Sequence, residues 1–147
     1  MFRAMKAFFT LTVLAAVLTP AAAMAADRPR DVACTITVSH SINNGVPQVY
    51  TRDFPILDST PYFDDFGSSF RIREFNASVR LDADGKTVVD FNYYNEVTVF
   101  EAVEFDSTLT LSNENGTQTS GRQAFYSSRL GAAHRTDWTM SCNRMGK

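Results

Sequence analysis

The two histidines of the chain, His40 and His134, are its first candidates for chemistry, since imidazole serves both as a metal ligand and as a general acid or base. No HxH or HExxH spacing accompanies either of them, so only the fold could bring them together. Each lies in a segment of alternating apolar residues, which predicts a position near a strand end. The spacing predicts no metal site and no cofactor.

A carboxylate, Glu101, is the other candidate for catalysis. It shares the inward phase of Val99 and Val103, and a buried Glu has a raised pKa that suits a general acid. A bulge at residues 100–102 would turn it outward instead. Because the chain has no GxSxG motif and its cysteines are expected to form a disulfide, a nucleophilic mechanism has no support. We therefore predict a non-enzymatic protein, with a hydrolase that uses Glu101 or the histidine pair as an alternative.

Residues 57–67 do not alternate, and they are predicted to form a long loop with one helical turn at most. The loop concentrates aromatic and acidic side chains, and small barrels often bind ligands under such loops. One interpretation is a lid or a protein-contact surface, and the other is that the aromatic rings fill one end of the core. The binding candidates are Tyr62, Phe63, Asp64, Asp65 and Phe66.

Three arginines, Arg71, Arg73 and Arg80, are expected on the outer face of one strand. They form a candidate surface patch that could dock an acidic partner, or simply a solvated face. By the period-two alternation, four further aromatic and aliphatic residues are expected on the outer face, and apolar side chains among charged ones are typical of a protein-binding surface. These residues are Val88, Tyr94, Phe100 and Tyr126.

The N-terminal segment has the three parts of a signal peptide. Arg3 and Lys6 precede an apolar run of residues 7–18, and Ala23-Met24-Ala25 is typical of a cleavage site. The run is too short for a membrane-spanning helix, which needs about 20 residues. We predict a signal peptide over residues 1–25 and a single domain over residues 26–147.

Charge and cysteine content narrow the class of protein further. Without Arg3 and Lys6, twelve of the fourteen basic residues remain beside sixteen acidic ones, a net charge of −4. Such a negative charge disfavours nucleic acid as the partner. The mature chain has no polybasic segment that would bind anionic lipid and no long apolar segment that would insert into a membrane. An isolated cysteine pair in an exported protein is usually a disulfide, so Cys34 and Cys142 are predicted to pair. The expected location is the periplasm or the extracellular space, and the N-terminal segment is predicted to be a bacterial signal peptide.

Period-two alternation dominates the mature chain and predicts half-buried strands. Pairing Val79 with Val89 across the turn at residues 82–86 aligns the apolar faces of two strands. In the first of them, Phe70 and Ile72 face the core only if a bulge lies near Arg73. A second hairpin turn is predicted at residues 113–116. The predicted strands cover residues 32–40, 48–56, 68–82, 87–99, 102–112, 118–128 and 134–143.

The first and last strands agree in phase if Cys34 lies opposite Cys142, since Val38 then faces Trp138. In this register His40 and His134 are predicted to be near neighbours at one end of the barrel. Such pairing would close a barrel, whereas a disulfide between two sheets would indicate a sandwich. The predicted fold is all-β: a small antiparallel meander barrel or flattened β-sandwich of seven to eight strands with one disulfide.

The function expected from these features is an exported binding module that docks another protein. Small exported β-domains with one disulfide include protein inhibitors, so an inhibitor-like role is one form of this function. A carrier of a small apolar ligand in a lipocalin-like barrel is an alternative. The many large inward side chains disfavour the cavity that a carrier needs.

Overall fold

The computed structural model of the protein describes residues 29–112 and 116–146, and the predicted signal peptide lies outside these ranges. The described residues form eight strands and no helix. The strands are β1 (Val32–Ile42), β2 (Gln48–Ile56), β3 (Tyr62–Asp65), β4 (Arg73–Leu81), β5 (Thr87–Thr98), β6 (Glu101–Thr110), β7 (Thr117–Ser127) and β8 (Ala132–Arg144).

Two antiparallel sheets of four strands face each other. Sheet A has the order β2-β1-β8-β7, and sheet B has the order β3-β4-β5-β6. Neighbouring strands along the chain are neighbours in space except between β2 and β3 and between β6 and β7, where the meander passes from one sheet to the other. The predicted all-β fold is confirmed, and the two sheets form a sandwich that does not close into a barrel.

The predicted pairing of the chain ends is confirmed within sheet A. Cys34 lies opposite Cys142 on β1 and β8 and is bonded to it, and Val38 lies opposite Trp138. The disulfide therefore joins neighbouring strands and does not cross between the sheets. Eleven consecutive residue pairs align β1 with β8, so the disulfide lies within a stretch of strands that are also joined by backbone pairing.

The core lies between the sheets and is filled mainly by aromatic rings. Phe75, Tyr93 and Phe105 share one row across β4, β5 and β6, as the predicted register of Val79 with Val89 requires. Phe105 stacks on Trp138 of sheet A, with ring centroids 4.1 Å apart. Trp138 reaches this position because its cross-strand neighbour is Gly121, where a Cβ atom would overlap the indole ring.

Side chains bridge the open seam between β2 and β3. The Tyr50 hydroxyl donates to Asp64 Oδ2 at 2.8 Å, and Arg52 Nε donates to the same oxygen at 2.7 Å. Burial and the hydrogen bond to the Asp64 carboxylate raise the pKa of Tyr50. The seam is thus joined by side chains where the backbone ladder is interrupted.

The inward positions predicted for Phe70 and Ile72 are wrong. β4 begins at Arg73 and keeps an unbroken register with β5, so it needs no bulge. Residues 66–72 turn back on themselves, with a bridge between Ser68 and Arg71, and Phe70 and Ile72 are exposed. Their alternation with polar residues belongs to a loop and does not mark a buried strand face.

Two connections also differ from prediction. Part of the predicted 57–67 loop forms the short edge strand β3, which pairs with β4 through Tyr62 and Ala77. The strands that flank the turn predicted at residues 113–116, β6 and β7, do not pair as a hairpin, because they lie at edges of different sheets. Residues 113–115 lie outside the described ranges. The turn at residues 82–86 does connect a hairpin, and Gly85 adopts a positive φ of 73° there.

Candidate functional site at the apical end of the sandwich

Four connections meet at one end of the sandwich, which we call the apical end. They are residues 43–47, 66–72, 99–100 and 128–131, which join β1 to β2, β3 to β4, β5 to β6 and β7 to β8. Antiparallel pairing places these connections at one end within each sheet, and contacts between residues 99–101 and 127–129 join the two sheets there.

The apical end carries most of the exposed large apolar side chains in the described part of the chain. Nine of twelve lie in these connections or within two residues of them. Phe70 is 85% exposed and Val46 is 94% exposed. Exposed apolar residues are usually scattered singly over a protein surface, whereas these are grouped at one end. The nine are Ile42, Val46, Val49, Phe70, Ile72, Val99, Phe100, Tyr126 and Leu130.

Hydrogen bonds hold the apical connections in place. Asn43 donates its backbone N–H to the Ala133 carbonyl, and its side-chain oxygen accepts from Ala133 N at 2.8 Å. Ile72 N donates to Glu96 Oε2 at 2.8 Å, and Glu96 N donates to the Ile72 carbonyl. Loops that are already ordered lose less conformational entropy when a partner binds.

Arginine accompanies the apolar side chains. The Arg129 guanidinium lies over the Phe100 ring, 3.7 Å from its centroid, and joins two of the apical connections. Arginine and aromatic residues are enriched at the energetic centres of protein interfaces. The apical end therefore combines apolar tips with a cation that is already placed on an aromatic face.

A row of polar side chains lies directly beneath the apical connections. His40 Nε2 is 3.2 Å from His134 Nδ1, and His134 Nε2 is 3.4 Å from Glu101 Oε2. Ser127 donates its hydroxyl to Glu101 Oε1, and Ser127 Oγ accepts from Leu130 N. The predicted proximity of the two histidines is confirmed, and Glu101 keeps its inward phase because the bulge lies earlier, between Glu96 and Thr98.

Several buried polar atoms near this row have no hydrogen-bond partner within the protein. Of the eight such side-chain atoms among the described residues, six belong to the apical rows of the two sheets. An unpaired buried polar group costs about 1–3 kcal/mol, and this cost is smaller for Glu101 Oε2 and His134 Nε2 because these two atoms face each other at 3.4 Å. The six are Arg71 Nη1, Arg73 Nε, Asn95 Oδ1, Glu101 Oε2, Gln123 Oε1 and His134 Nε2.

The geometry of the polar row does not match a catalytic triad. In a Ser-His-Asp triad the serine contacts the histidine directly, whereas Ser127 contacts Glu101, which lies between it and His134. His40 and His134 are each only 2% exposed, so a substrate reaches neither ring while the connections stay in place. The hydrogen bonds of this row hold the β5–β6 and β7–β8 connections together.

The His40 side chain makes stability depend on pH. Burial, and then the neighbouring His134, lower the pKa of His40 below its usual value of about 6.5. In the pH range below about 6.5 the unfolded chain therefore binds more protons at this site than the folded protein does. The free energy of unfolding is expected to fall as the pH drops from 7 to 5, by at most about 1.4 kcal/mol per pH unit for one proton.

Urea unfolding at several pH values checks this expectation. The variant His40→Gln should show a flatter profile than the wild type because it lacks the titrating group. His134 and Glu101 face the same row and are kept in both proteins. Equal slopes for the two proteins would contradict the assignment to His40.

The aromatic-acidic candidates of residues 62–66 divide between two faces of β3. Tyr62 and Phe66 pack on the core, where Phe66 stacks on Tyr50 with centroids 4.2 Å apart. Asp64 joins the β2–β3 seam. Phe63 and Asp65 face outward, and Phe63 is exposed. Most of this segment therefore packs in the molecule, and a contact surface here would consist of Phe63 and Asp65.

The three candidate arginines do not share one face, and Arg71 lies before β4 in the 66–72 loop, where it forms a bridge with Ser68. Arg73 pairs with the buried Asn95 and follows the inward phase of Phe75, and its Nε atom is buried. Arg80 is exposed on the outer face and forms an ion pair with Asp90 at 2.6 Å. The expected common outer face is wrong, because the strand lacks the bulge that would have turned Arg73 outward.

The apical site was only partly visible in the sequence. Phe100 and Tyr126 were expected outside the core and are exposed, whereas Val88 is buried and Val99, expected to face inward, is exposed. Ser127 was not recognised, since a serine at a strand end is common and its partner Glu101 lies 26 residues away.

No protein-family model matches the chain, and neither a curated protein nor a solved structure is similar enough to count as a match. Within residues 29–112 and 116–146, no three His, Cys, Asp or Glu side chains are placed to hold a metal ion. The same residues include no helix that could span a membrane.

Proposed function

We propose that the protein is an exported, non-enzymatic binding module that docks another protein through its apical end. The observation that carries this proposal is the grouping of nine exposed apolar side chains at that end, on connections held by hydrogen bonds. Exposed apolar side chains grouped at one end of a folded domain are typical of an interaction site.

Export rests on the N-terminal segment and on the disulfide. The layout of residues 1–25 is that of a signal peptide, and the Cys34–Cys142 bond is compatible with an oxidising compartment. We propose the periplasm or the extracellular space as the location. An inhibitor-like role suits ordered loops with apolar tips, since such loops can enter a partner's cleft with little loss of entropy.

A protein partner is favoured over a membrane surface by the mixture of groups at the apical end. The Arg129 guanidinium is placed on the Phe100 ring among the apolar tips. A protein partner offers carboxylates and backbone carbonyls that can pair with this guanidinium, together with apolar side chains that can cover the tips. The acidic balance of the chain gives no general attraction to anionic lipid.

The alternatives receive less support. A carrier of apolar ligands needs an internal cavity, whereas the pocket of about 780 Å³ among the described residues lies on the outer face of sheet B. A hydrolase that uses Glu101 or the histidines needs access to a row that is buried.

Photo-crosslinking tests the proposal. A benzoyl-phenylalanine placed at Phe100 should give one discrete protein adduct in the exported fraction of the native host. The same group at Phe63 is the matched control, since Phe63 is also exposed but lies away from the apical end. Lipid adducts from Phe100, or equal adducts from both positions, would contradict the proposal.

A further inference from the structure

The outer face of sheet B carries a groove of about 780 Å³. This volume is within the usual range for ligand sites, about 300–1,000 Å³. The groove crosses the middle of β4, β5 and β6, and Pro61, just before β3, lies at its edge. It is a feature separate from the apical end and from the docking proposed there.

Two rows of polar side chains line the groove. Asn76, Asn92 and Asp106 form one row across the three strands, and Ser78, Asp90 and Thr108 form the other. The strands are about 4.8 Å apart, so the two rows make a regular array of amide, carboxylate and hydroxyl groups.

Contacts within the array fix its two carboxylates. Asn92 Nδ2 donates to Asp106 Oδ1 at 2.9 Å, and Arg80 donates to both oxygens of Asp90, at 2.6 and 3.3 Å. Each carboxylate oxygen has more than one lone pair, so both groups can still accept further hydrogen bonds. The groove therefore presents acceptors in set positions together with hydroxyl and amide donors.

The chemistry of this lining discriminates among ligand classes. An anion would meet the carboxylates of Asp90 and Asp106. An apolar ligand would bury amide and hydroxyl groups without partners, at a cost of several kcal/mol. A metal ion is disfavoured because each carboxylate already has a partner and the residues described include no suitable ligand cluster. A neutral ligand rich in hydroxyl groups satisfies donors and acceptors alike.

An exposed aromatic ring stands beside the groove. Phe63 of β3 lies directly opposite Asn76 of β4, so both side chains are on the outer face of the sheet. Phe63 is exposed, and covering its phenyl ring with an apolar surface of a ligand would be favourable, because apolar groups are more stable out of contact with water. The C–H face of a sugar ring can cover such a ring while its hydroxyls reach the polar rows.

From these observations we propose that the outer face of sheet B binds a neutral carbohydrate, held by the Asn92–Asp106 pair and by the side chains of Asn76 and Thr108, with Phe63 against one sugar ring. Hydrogen bonds to the carboxylates orient the sugar, and the open groove admits a chain of several units. This site would act independently of the apical end.

Isothermal titration of the mature protein tests this proposal with cellohexaose, maltohexaose and chitohexaose as probes. At least one of them should bind with a Kd below about 1 mM. Phe63→Ala and Asn92→Ala should each weaken that binding at least tenfold. Tyr126→Ala is the matched control, since Tyr126 is an exposed aromatic residue of sheet A. This variant should bind the same oligosaccharide with unchanged affinity.

Thermal unfolding of each variant separates a loss of binding from a loss of folding, and Thr108→Ala provides a second, exposed groove variant. The proposal is overturned if none of the three probes binds, or if binding survives in Phe63→Ala and Asn92→Ala. It is also overturned if a lysine-rich peptide binds instead and is released by Asp106→Asn, because charge would then define the groove.

Discussion

Replacing Cys34 and Cys142 together with alanine is expected to lower the free energy of unfolding by about 4 kcal/mol. The bond joins residues 108 positions apart, close to the two ends of the described chain. Its loss lets the unfolded chain sample many more conformations, and the chain-entropy relation gives about 4–5 kcal/mol for a loop of this length. Both residues are also buried, so the smaller side chains lose packing.

Urea unfolding of the double variant measures this effect, and the wild type under reducing conditions is the control for the bond alone. The eleven aligned pairs of β1 and β8 should still form at low temperature, so the variant remains folded but less stable. A decrease below about 1 kcal/mol would contradict the expectation. It would mean that the ladder and the surrounding core constrain the chain ends without the bond.

The variant Gly121→Ala is expected to lose about 1–3 kcal/mol of stability, the range typical of overpacking in a core. A methyl group at this position would overlap the indole ring of Trp138, which is stacked on Phe105. The ring must leave its place in the aromatic row, and the row must repack around it. Gly146→Ala is the matched control, because a Cβ atom there meets nothing within 4 Å.

Fluorescence reports this change directly, since Trp138 is the single tryptophan of the chain. The emission of Gly121→Ala should shift towards that of an exposed indole, together with the lower midpoint of unfolding. An unchanged spectrum with unchanged stability would contradict the account of how β7 and β8 pack.

Much of sheet A could be predicted because its strands are long and half-buried. In β1 and β8, strict alternation on both strands leaves one register in which Cys34 meets Cys142 and the apolar faces agree. The same constraint fixed Val79 opposite Val89 in sheet B. The approach of His40 to His134 followed from this register and needed no motif.

The wrong predictions concern short strands and connections, where the alternation of apolar and polar residues does not indicate a buried strand face. Strand β3 has four residues, too few for a period to be seen, and its identity as an edge strand depends on pairing with β4. Phe70 and Ile72 alternate with polar residues in a loop, where the pattern marks no buried face. The Asn-Gly pair at residues 115–116 indicates a turn, but a turn does not determine whether the flanking strands stay in one sheet.

The candidate apical site emerged from the same failures. A sequence pattern assigns apolar residues to the core, so Phe70, Ile72 and Val99 were placed inside and the exposed apolar surface was hidden. Glu101 was identified by its inward phase, whereas Ser127 and the unpaired Oδ1 atom of Asn95 could be grouped with it only after the two sheets had been placed face to face.

The affinity of the protein for the partner captured at Phe100 tests the central claim most directly. We expect the double variant Phe70→Ser, Phe100→Ser to bind at least 100-fold more weakly than the wild type. Each phenylalanine removed from the interface should cost about 1.4 kcal/mol or more of binding free energy, which is tenfold in affinity. Phe63→Ser, a matched exposed phenylalanine of sheet B, should bind as the wild type does. Equal affinities for the double variant and the wild type would show that the apical end is not the docking surface.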